Sequence, residues 1–359
     1  MSRIYNFSAG PSTLPESVLK IAQQELLDWR GTGMSVMEMS HRGKHFMSIA
    51  AKMKQDLIDL LAIPSNYQVL FMQGGASAQF GLIPQNILGA KTQASYVNTG
   101  AWSTAAIKEA SKYCEVQIAA SDEANGFTSI PDISSWDWNA DSAYLHYTSN
   151  ETIHGVEFFS APDSVNLPLV CDMSSDILSR PEDISKFALI YAGAQKNMGP
   201  SGVTVVIVRD DLLDKTHPQV PAVFNYRLQA DADSMLNTPA TYNWYLLGLV
   251  LDWLQQQGGL KVIESINIRK ANKLYAAIDC SSLYSNPVDV RYRSRMNVPF
   301  VLADTSLDKL FIEEAEQAGL SGLQGHRVVG GMRASIYNAM PEAGVDALIE
   351  FMADFERRH

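Results

Sequence analysis

The sequence predicts an α/β protein in which a mostly parallel sheet is covered by helices and is followed by a smaller α+β domain. Short apolar, β-branched runs alternate with helical or loop segments between residues 67 and 208, a pattern typical of a parallel sheet buried on both faces. After Gly258-Gly259 this alternation gives way to a mixture of helices and strands. A chain of 359 residues has room for about two such domains.

The elements of the larger domain, residues 16–259, follow without repeats or low-complexity segments. Amphipathic helices are predicted over 16–29 and 46–62, and another begins at Ala78. A further helix over 241–256 stops at two glycines, which are typical of a helix C-terminus. The strand candidates are short, apolar and mostly bounded by Gly, Pro or polar residues: 67–72, 94–98, 143–147, 167–171, 187–192 and 203–208.

The smaller domain is predicted to comprise residues 260–359 together with the extended segment 1–15, which is expected to pack beside it. Its elements are helices at 260–280, 307–318 and 344–357 and strands at 296–302 and 333–337.

Composition excludes several classes of protein. A net charge of −11 argues against nucleic acid as the main partner, so an anionic ligand would require a local cluster of arginines. Three scattered cysteines without a CxxC motif favour free, buried thiols in a reducing compartment. The N-terminus lacks the apolar stretch of a signal peptide, and residues 244–254 are shorter than the roughly 20 residues of a membrane span. We therefore expect a cytoplasmic protein with no membrane partner.

Lys196 is the most informative residue, because it lies between two apolar runs that predict buried strands. A buried lysine is costly unless its charge is paired or lost. Asp172 ends another apolar run 24 residues earlier. A lysine that forms a Schiff base and a carboxylate that pairs with the pyridinium nitrogen are the requirements of pyridoxal phosphate (PLP). A structural Asp–Lys pair explains these two residues equally well.

Other segments offer groups that PLP would need, each with a plain structural alternative. The turn Gly74–Ser77 lies between a strand and a helix and suits a phosphate, as do ordinary strand-to-helix turns. Asn237-Thr238-Pro239 is either a second phosphate contact or simple helix capping. Trp102 can stack on a ring or fill the core. Thr152 can bind the cofactor or stabilise its polar loop.

Two His-Arg pairs and one further arginine suit an anionic substrate, because guanidinium groups bind carboxylate and phosphate in bidentate fashion. The pairs are His41-Arg42 and His326-Arg327. Arg333 lies in an apolar strand pattern and therefore needs an anionic partner, either an internal carboxylate or a substrate. The spacing of His41 and His45 resembles a zinc motif but lacks its glutamate, so no metal site is predicted.

Taken together, these segments resemble the phosphoserine aminotransferase family of class V, fold-type I PLP-dependent aminotransferases. The matching motifs run through the whole chain: Asn6–Pro11, Met39–Arg42, Gln73–Ser77, Asn150–Gly155, Asp172–Ser175, Tyr191–Asn197, Asn237–Pro239, Arg295–Val298 and Gly325–Asn338. The resemblance implies a large domain with a mostly parallel seven-stranded sheet and a smaller α+β C-terminal domain.

The resemblance also implies the residues that bind one PLP per subunit. Lys196 holds the cofactor as a Schiff base and transfers the substrate proton, while Asp172 keeps the pyridinium protonated. Trp102 stacks on the ring, and Thr152 contacts its polar edge. The implied phosphate ligands are Ala76, Ser77, Gln195 and, from the second subunit of an obligatory homodimer, Asn237 and Thr238. Some members carry Arg at the position of Ser77, so phosphate binding here depends more on backbone N–H groups.

The implied substrate site is cationic. Arg42 and Arg333 hold substrate carboxylates, with a backbone contact at Ala9 nearby. The anion site for the substrate phosphate or the glutamate side chain consists of His41, His326 and Arg327. Like the second-subunit phosphate ligands, His41 and Arg42 are expected to reach the site across the dimer interface.

The implied reaction transfers an amino group between L-glutamate and 3-phosphohydroxypyruvate, giving O-phospho-L-serine and 2-oxoglutarate in serine biosynthesis. In bacteria the resemblance also implies conversion of 3-hydroxy-2-oxo-4-phosphooxybutanoate to 4-phosphohydroxy-L-threonine, for pyridoxine biosynthesis. One alternative is another class V aminotransferase, of the serine–glyoxylate or alanine type, which needs fewer cationic groups. A second is a catalytically silent protein that keeps the fold. A cysteine desulfurase is disfavoured because it needs an exposed loop cysteine.

Overall fold

The computed structural model describes residues 3–163 and 165–359, in which helices and strands alternate through most of the chain. The helices are α1 (Glu16–Gln24), α2 (Lys44–Leu61), α3 (Gly75–Ile87), α4 (Ala101–Ala110), α5 (Tyr226–Asp231), α6 (Thr241–Gln256), α7 (Leu260–Asp279), α8 (Asp308–Gln317) and α9 (Glu342–Arg358). The strands are β1 (Tyr5–Asn6), β2 (Tyr67–Met72), β3 (Gln93–Asn98), β4 (Glu115–Ser121), β5 (Leu145–Thr148), β6 (Asn150–Glu151), β7 (Val156–Glu157), β8 (Leu169–Asp172), β9 (Leu189–Gly193), β10 (Thr204–Arg209), β11 (Tyr284–Ser285), β12 (Asn297–Leu302), β13 (Leu320–Ser321) and β14 (Met332–Ser335).

A seven-stranded sheet organises the larger part of the chain, in the order β2-β10-β9-β8-β5-β3-β4. The pairs β9–β8, β8–β5, β5–β3 and β3–β4 are parallel, whereas β10 runs antiparallel to both β2 and β9. The predicted α/β class with a mostly parallel sheet is therefore confirmed.

The sheet is buried on both faces because its central strands are apolar at successive positions. Along β10, Val205 and Ile207 join one apolar cluster, which includes residues of α2 and α6. Val206 and Val208 point to the other side and join a cluster with residues of α3 and α4. Successive side chains of a strand alternate between faces, so this continuous apolar run places one helical layer on each side.

A second, antiparallel sheet of order β11-β12-β14 lies in the C-terminal part. Its core is a separate apolar cluster with α7, α8 and α9, in which Phe311 contacts the rings of Tyr284 and Phe300 edge to face. Strand β1 pairs in parallel with β13, which joins the N-terminal segment to this part of the chain. The domain limits proposed above stay a prediction.

Some predicted elements differ from the structure. The helix predicted over 16–29 ends at Gln24, because Leu27, which extends the apolar pattern, is 83% exposed and lies off the core. Strand β4 was not predicted, because most of its side chains are exposed or only half-buried at the sheet edge and form no apolar run. All three cysteines are free, but Cys280 is exposed at the end of α7, so the prediction of three buried thiols is wrong.

Within the described residues, every helix is either too short or too polar to cross a lipid bilayer.

Candidate active site

The sequence-predicted cofactor residues follow neighbouring strands of the large sheet at one edge. Asp172 is the last residue of β8, and Lys196 lies three residues after β9. Thr152 follows β5 through the hairpin strand β6, and Trp102 lies at the start of α4, after β3. Because parallel strands end at the same edge, the topology brings these four residues into one region, which is where α/β sheets bind ligands.

Lys196 is the centre of this site. Its Nζ donates a hydrogen bond of 2.6 Å to Oγ1 of Thr152 and lies 5.6 Å from the centroid of the Trp102 ring. Burial lowers the pKa of Lys196 to about 8, and the positive charge of Arg333 acts in the same direction, whereas Asp172 opposes it. A lysine with such a pKa is partly unprotonated near neutral pH, and the neutral amine is the nucleophilic form.

This lowered pKa can be tested on the cofactor-free protein. The neutral fraction of Lys196 increases with pH, so its acetylation rate is expected to rise with a midpoint near pH 8 instead of the ordinary 10.5. Arg333→Met removes a positive charge and is expected to move the midpoint upward. Peptide mass spectrometry after brief acetylation measures the rate. The control Arg327→Met removes an exposed charge and leaves the midpoint in place; an Arg333→Met midpoint equal to wild type contradicts the prediction.

Asp172 is a buried carboxylate that faces this lysine. Its Oδ1 accepts a hydrogen bond of 2.8 Å from the backbone N–H of Ser174. Burial raises the pKa of Asp172, while the contact with Ser174 and the charge of Lys196 lower it. The ionised form at this buried position therefore depends on nearby positive charge, which a pyridinium nitrogen would supply.

Glu151, which the sequence analysis did not assign, holds Trp102 in place. Its buried carboxylate accepts hydrogen bonds from the backbone N–H groups of Trp102 (2.9 Å) and Ser103 (2.8 Å) and from the Ser103 hydroxyl (2.7 Å). These donors form the first turn of α4, whose N-terminus favours negative charge. The preceding Gly100 leaves room for the carboxylate, because any Cβ there would overlap it.

Glu151→Ala is therefore expected to lower the free energy of unfolding by about 2–4 kcal/mol, because two backbone donors and one hydroxyl lose their buried acceptor. Urea denaturation of the cofactor-free protein measures the loss. The control Glu115→Ala changes an exposed glutamate at the start of β4 and is expected to leave stability within about 0.5 kcal/mol. Equal stabilities for the two variants would contradict the capping role of Glu151.

The predicted phosphate turn forms the N-terminus of α3. Gly74 and Gly75 adopt positive φ angles of 98° and 70°, and a Cβ on Gly74 would lie 2.7 Å from the Cβ of Ala78. The turn therefore requires glycine and points the first N–H groups of α3, at Ala76 and Ser77, out of the helix. Ser77 is exposed and Ala76 half-buried, so both are accessible to an anion.

The other two predicted phosphate ligands lie near this turn. Asn237 and Thr238 are exposed, and the Thr238 carbonyl accepts a hydrogen bond of 3.3 Å from Nε2 of Gln73 in the same chain. Both residues thus border the cradle of their own chain, and their predicted contact with a second subunit stays a prediction.

The segment Phe7–Ser12, here called the N-terminal strap, crosses from the C-terminal sheet to the lysine. Ser12 donates from its backbone N–H to the Gln195 carbonyl (2.9 Å) and from its hydroxyl to the Lys196 carbonyl (2.6 Å). The Ala9 carbonyl accepts a hydrogen bond of 2.8 Å from the Tyr337 hydroxyl. The strap therefore places the predicted substrate contact at Ala9 close to Lys196.

Arg333, His326 and Arg327 form a cationic group, in which the charge of Arg333 acts on Lys196 and the charges of both arginines act on His326. Arg333 is half-buried, and its Nε is buried without a hydrogen-bond partner in the described part of the chain. Burial lowers the pKa of His326, and the charges of Arg333 and Arg327 lower it further. A buried guanidinium nitrogen without an acceptor favours an anionic ligand at this position.

His41 and Arg42 do not join this group within the chain. They precede α2, where Arg42 is exposed and its Nε lies 3.4 Å from Nε2 of His41. No hydrogen bond or ion pair within the described residues connects either side chain to Lys196 or Arg333. Their contribution across a dimer interface stays a prediction.

Sequence reasoning missed Glu151, Ser12 and Tyr337 as residues that shape the site. The motif Asn150–Gly155 contains Glu151, and the segment Gly325–Asn338 contains Tyr337. Both residues therefore lie in motifs that carry the resemblance, but the sequence analysis assigns neither of them a role. The sequence predicts a polar loop after β5, and the structure buries residues 148–153 completely. The Thr148 hydroxyl and Oδ1 of Asn150 have no hydrogen-bond partner within the described residues.

Comparison with known proteins gives similarity over the whole chain. A model of the Aminotransferase class-V family matches residues 4–348. The phosphoserine aminotransferase of Laribacter hongkongensis is 60% identical over 357 residues, 99% of both chains. A phosphoserine aminotransferase structure that records radiation damage of its Schiff base superposes with a TM-score of 0.98 at 47% identity and covers 100% of both chains. A PLP-bound phosphoserine aminotransferase from Trichomonas vaginalis superposes with a TM-score of 0.94 at 41% identity, covering 98% of this chain and 100% of that one.

Proposed function

This chain belongs to the class V aminotransferase family, and we propose that it transfers an amino group between L-glutamate and 3-phosphohydroxypyruvate, giving O-phospho-L-serine and 2-oxoglutarate. It is a transaminase, and PLP is its cofactor. The observation that carries the proposal is Lys196, an amine of lowered pKa that Thr152 holds beside the Trp102 ring.

The residues present fit PLP. Lys196 is the covalent attachment point, Asp172 the partner of the pyridinium nitrogen, and Trp102 the stacking surface. Thr152 is assigned to the polar edge of the cofactor, and the N–H groups of Ala76 and Ser77, which follow the glycine turn, are assigned to its phosphate. Gln195 is assigned to the same phosphate. Bound there, the cofactor supplies an electron sink for the bond that breaks at the substrate Cα.

The chain's own residues supply the proton transfer and the binding energy. The neutral amine of Lys196 is the base that removes the proton from the Cα of the amino donor and, once protonated, would deliver it to C4′ of the bound cofactor; with the oxo acid the same transfer would run in reverse. Its lowered pKa makes this form available near neutral pH. The buried carboxylate of Asp172 would stabilise positive charge on the ring nitrogen of the bound cofactor. Trp102 covers the reacting region against water.

Substrate selection depends on the cationic group. Arg333, whose Nε lacks an acceptor in the described chain, is assigned to the substrate α-carboxylate near Ala9. His41, His326 and Arg327 are assigned to the second anionic group, which is a phosphate in one substrate and the glutamate side chain in the other, and Arg42 joins Arg333 in binding substrate carboxylates. A serine–glyoxylate or alanine substrate has no second anion to occupy it, so the cationic group favours phosphoserine.

The proposal has three further parts. The same site accepts the phosphorylated hydroxythreonine pair of pyridoxine biosynthesis, because these molecules also carry a carboxylate and a phosphate. The enzyme is a homodimer in which Asn237 and Thr238 of each subunit complete the phosphate site of the other. It works in the cytoplasm, in keeping with three free cysteines.

Absorption spectroscopy of the PLP-loaded enzyme tests the reaction. L-Glutamate and O-phospho-L-serine are each expected to shift the visible band to that of the pyridoxamine form, and 2-oxoglutarate is expected to restore it. L-Alanine and L-serine serve as donors without a second anion and are expected to react at least about tenfold more slowly. A response to L-alanine that equals the response to O-phospho-L-serine would favour the alternative class V aminotransferase. The absence of a visible band after addition of PLP would favour the silent fold.

A further inference from the structure

A buried hydrogen-bond chain connects the loop that carries Thr152 with the backbone at Ala9. Nδ2 of Asn150 donates to Oδ1 of Asn297 at 2.9 Å. Nδ2 of Asn297 donates to the hydroxyl of Tyr337 at 3.0 Å, and this hydroxyl donates to the carbonyl of Ala9 at 2.8 Å. The chain thus runs from the cofactor loop, through two side chains of the C-terminal part, to the N-terminal strap.

The fold fixes the side chains that form this hydrogen-bond chain. At one end, Asn150 donates to the Ser175 hydroxyl (3.0 Å), which donates back to the Asn150 carbonyl (2.8 Å). In the C-terminal sheet, Asn297 pairs with Ser335 across β12 and β14 and donates to its hydroxyl at 2.9 Å. Tyr337 follows Ser335 by two residues, a spacing that returns a side chain to the same side of an extended strand.

Burial makes these hydrogen bonds difficult to replace. Asn150, Asn297 and Tyr337 are at most 1% exposed, and a buried amide or hydroxyl that loses its partner cannot replace it with water. Burial also raises the pKa of Tyr337, so the phenol stays protonated and able to donate. The donor directions are therefore fixed from Asn150 to Ala9.

Beyond Phe7, which hydrogen-bonds through its backbone to Ser321 and Ser335, the strap has two anchors on either side of Gly10, of which Tyr337 provides one. The Tyr337 hydroxyl holds Ala9, and the Ser12 hydroxyl holds the Lys196 carbonyl at 2.6 Å. Gly10 lies between these anchors, where even a Cβ would come within 3.6 Å of the Lys196 side chain. The position of Ala9 relative to Lys196 is thus set by the C-terminal sheet on one side and by the lysine segment on the other.

We infer that Tyr337 and Asn297 are positioning residues that fix the backbone at Ala9, and with it the pocket for the substrate α-carboxylate, relative to Lys196. The inference rests on the proposed function, which places that carboxylate between Ala9 and Arg333. Neither residue is assigned to the cofactor or the substrate, and both act through Ala9. Their loss therefore weakens binding of every amino donor, because the α-carboxylate is common to all of them.

Tyr337→Phe is the principal test, since it deletes one hydroxyl and keeps the ring. The KM values for L-glutamate and O-phospho-L-serine are both expected to rise about 3- to 10-fold, the effect of one lost hydrogen bond. The turnover number is expected to stay within about twofold of wild type, and the visible cofactor spectrum is expected to stay unchanged.

Tyr284→Phe is the matched control. Tyr284 is also a buried tyrosine of the C-terminal sheet, and its hydroxyl donates to the backbone carbonyl of Met352 at 3.0 Å. It lies in the apolar core with Phe300 and Phe311, away from the strap. Loss of the Tyr284 hydroxyl is expected to lower the free energy of unfolding about as much as Tyr337→Phe does, but to leave both KM values at wild-type level.

Asn297→Ala tests the next member of the chain, with the same expected rise in both KM values. Because Asn297 and Tyr337 act in series on Ala9, the double variant is expected to match the worse single variant within about twofold instead of multiplying the two effects. If Asn297→Ala does not fold, the comparison of Tyr337→Phe with Tyr284→Phe still decides.

If the wild-type enzyme is active and the variants Tyr337→Phe and Tyr284→Phe show the same KM values, the inference is wrong and the proposed function stays intact. A rise in KM for only one of the two donors would also overturn it, because the shared α-carboxylate requires both to change. A PLP-loaded wild-type enzyme that transaminates neither donor would overturn the proposed function, and this inference with it.

Discussion

Lys196→Ala is expected to reduce transamination of O-phospho-L-serine by at least about a thousandfold, because one change removes both the covalent attachment point and the base at the substrate Cα. A thousandfold loss corresponds to about 4 kcal/mol of transition-state stabilisation. The measurement is the single-turnover rate of the PLP-loaded variant. A second readout does not depend on turnover: borohydride treatment followed by peptide mapping is expected to fix the cofactor to Lys196 in wild type and nowhere in the variant.

The matched control is Lys91→Ala. Lys91 also donates a hydrogen bond, to the Ser142 carbonyl at 2.8 Å, but it lies before β3, at the opposite end of that strand from Trp102. Its loss is expected to leave the rate within about twofold of wild type. Borohydride-stable cofactor on another lysine of the wild-type enzyme, or a Lys196→Ala rate within tenfold of wild type, would refute the assignment of Lys196.

The large sheet was predictable because its strands are buried on both faces. Runs such as Tyr67–Met72 and 203–208 carry the signal of burial in their own composition. Strand β4 lies at the edge, where half of its surroundings are solvent, so the same signal is absent although the hydrogen bonding is equivalent. The prediction for helix α1 errs in the opposite direction and makes the helix too long, since the leucines after Gln24 continue an apolar pattern but do not pack against the core.

The chemical core of the site was predictable because its residues are locally unusual. A lysine between apolar strands, an aspartate at a strand end and glycines before a helix each conflict with the packing around them, and such conflicts mark functional positions. The structure brings Lys196, Thr152 and Trp102 together, as the resemblance implies. Their roles toward PLP stay a prediction.

The supporting residues were not predictable from local sequence. Ser12 and Lys196 are 184 positions apart, and Tyr337 and Ala9 are 328 positions apart. Nothing in the sequence around Ser12 or Tyr337 shows which distant carbonyl each will meet, because that contact is decided by the packing of the two sheets. Residues that orient an active site through the backbone are therefore the part that only the structure supplies.

Asp172→Asn is the second variant with a large expected effect. The amide keeps the size of the side chain but removes the charge that would stabilise a protonated pyridine nitrogen, so turnover is expected to fall by about 10²- to 10³-fold. Because the charge of Asp172 raises the pKa of Lys196, the same variant is expected to lower the pH midpoint for acetylation of Lys196 in the cofactor-free protein. The two readouts, rate and midpoint, test one cause in two different states of the enzyme.

A second buried aspartate of the same sheet makes the test specific. Asp122 follows β4 and accepts hydrogen bonds from the Ser129 backbone N–H (2.8 Å) and hydroxyl (2.9 Å). Asp122→Asn is expected to lower the free energy of unfolding, as the loss of any buried charged acceptor does. It is expected to change neither the turnover number nor the pH midpoint for acetylation of Lys196. If Asp122→Asn and Asp172→Asn slowed turnover equally, the loss would reflect the general cost of altering a buried carboxylate. If Asp172→Asn slows turnover and Asp122→Asn does not, the electrostatic role belongs to Asp172. That role depends on where the charge lies, at the end of β8 facing Lys196, and not on burial alone.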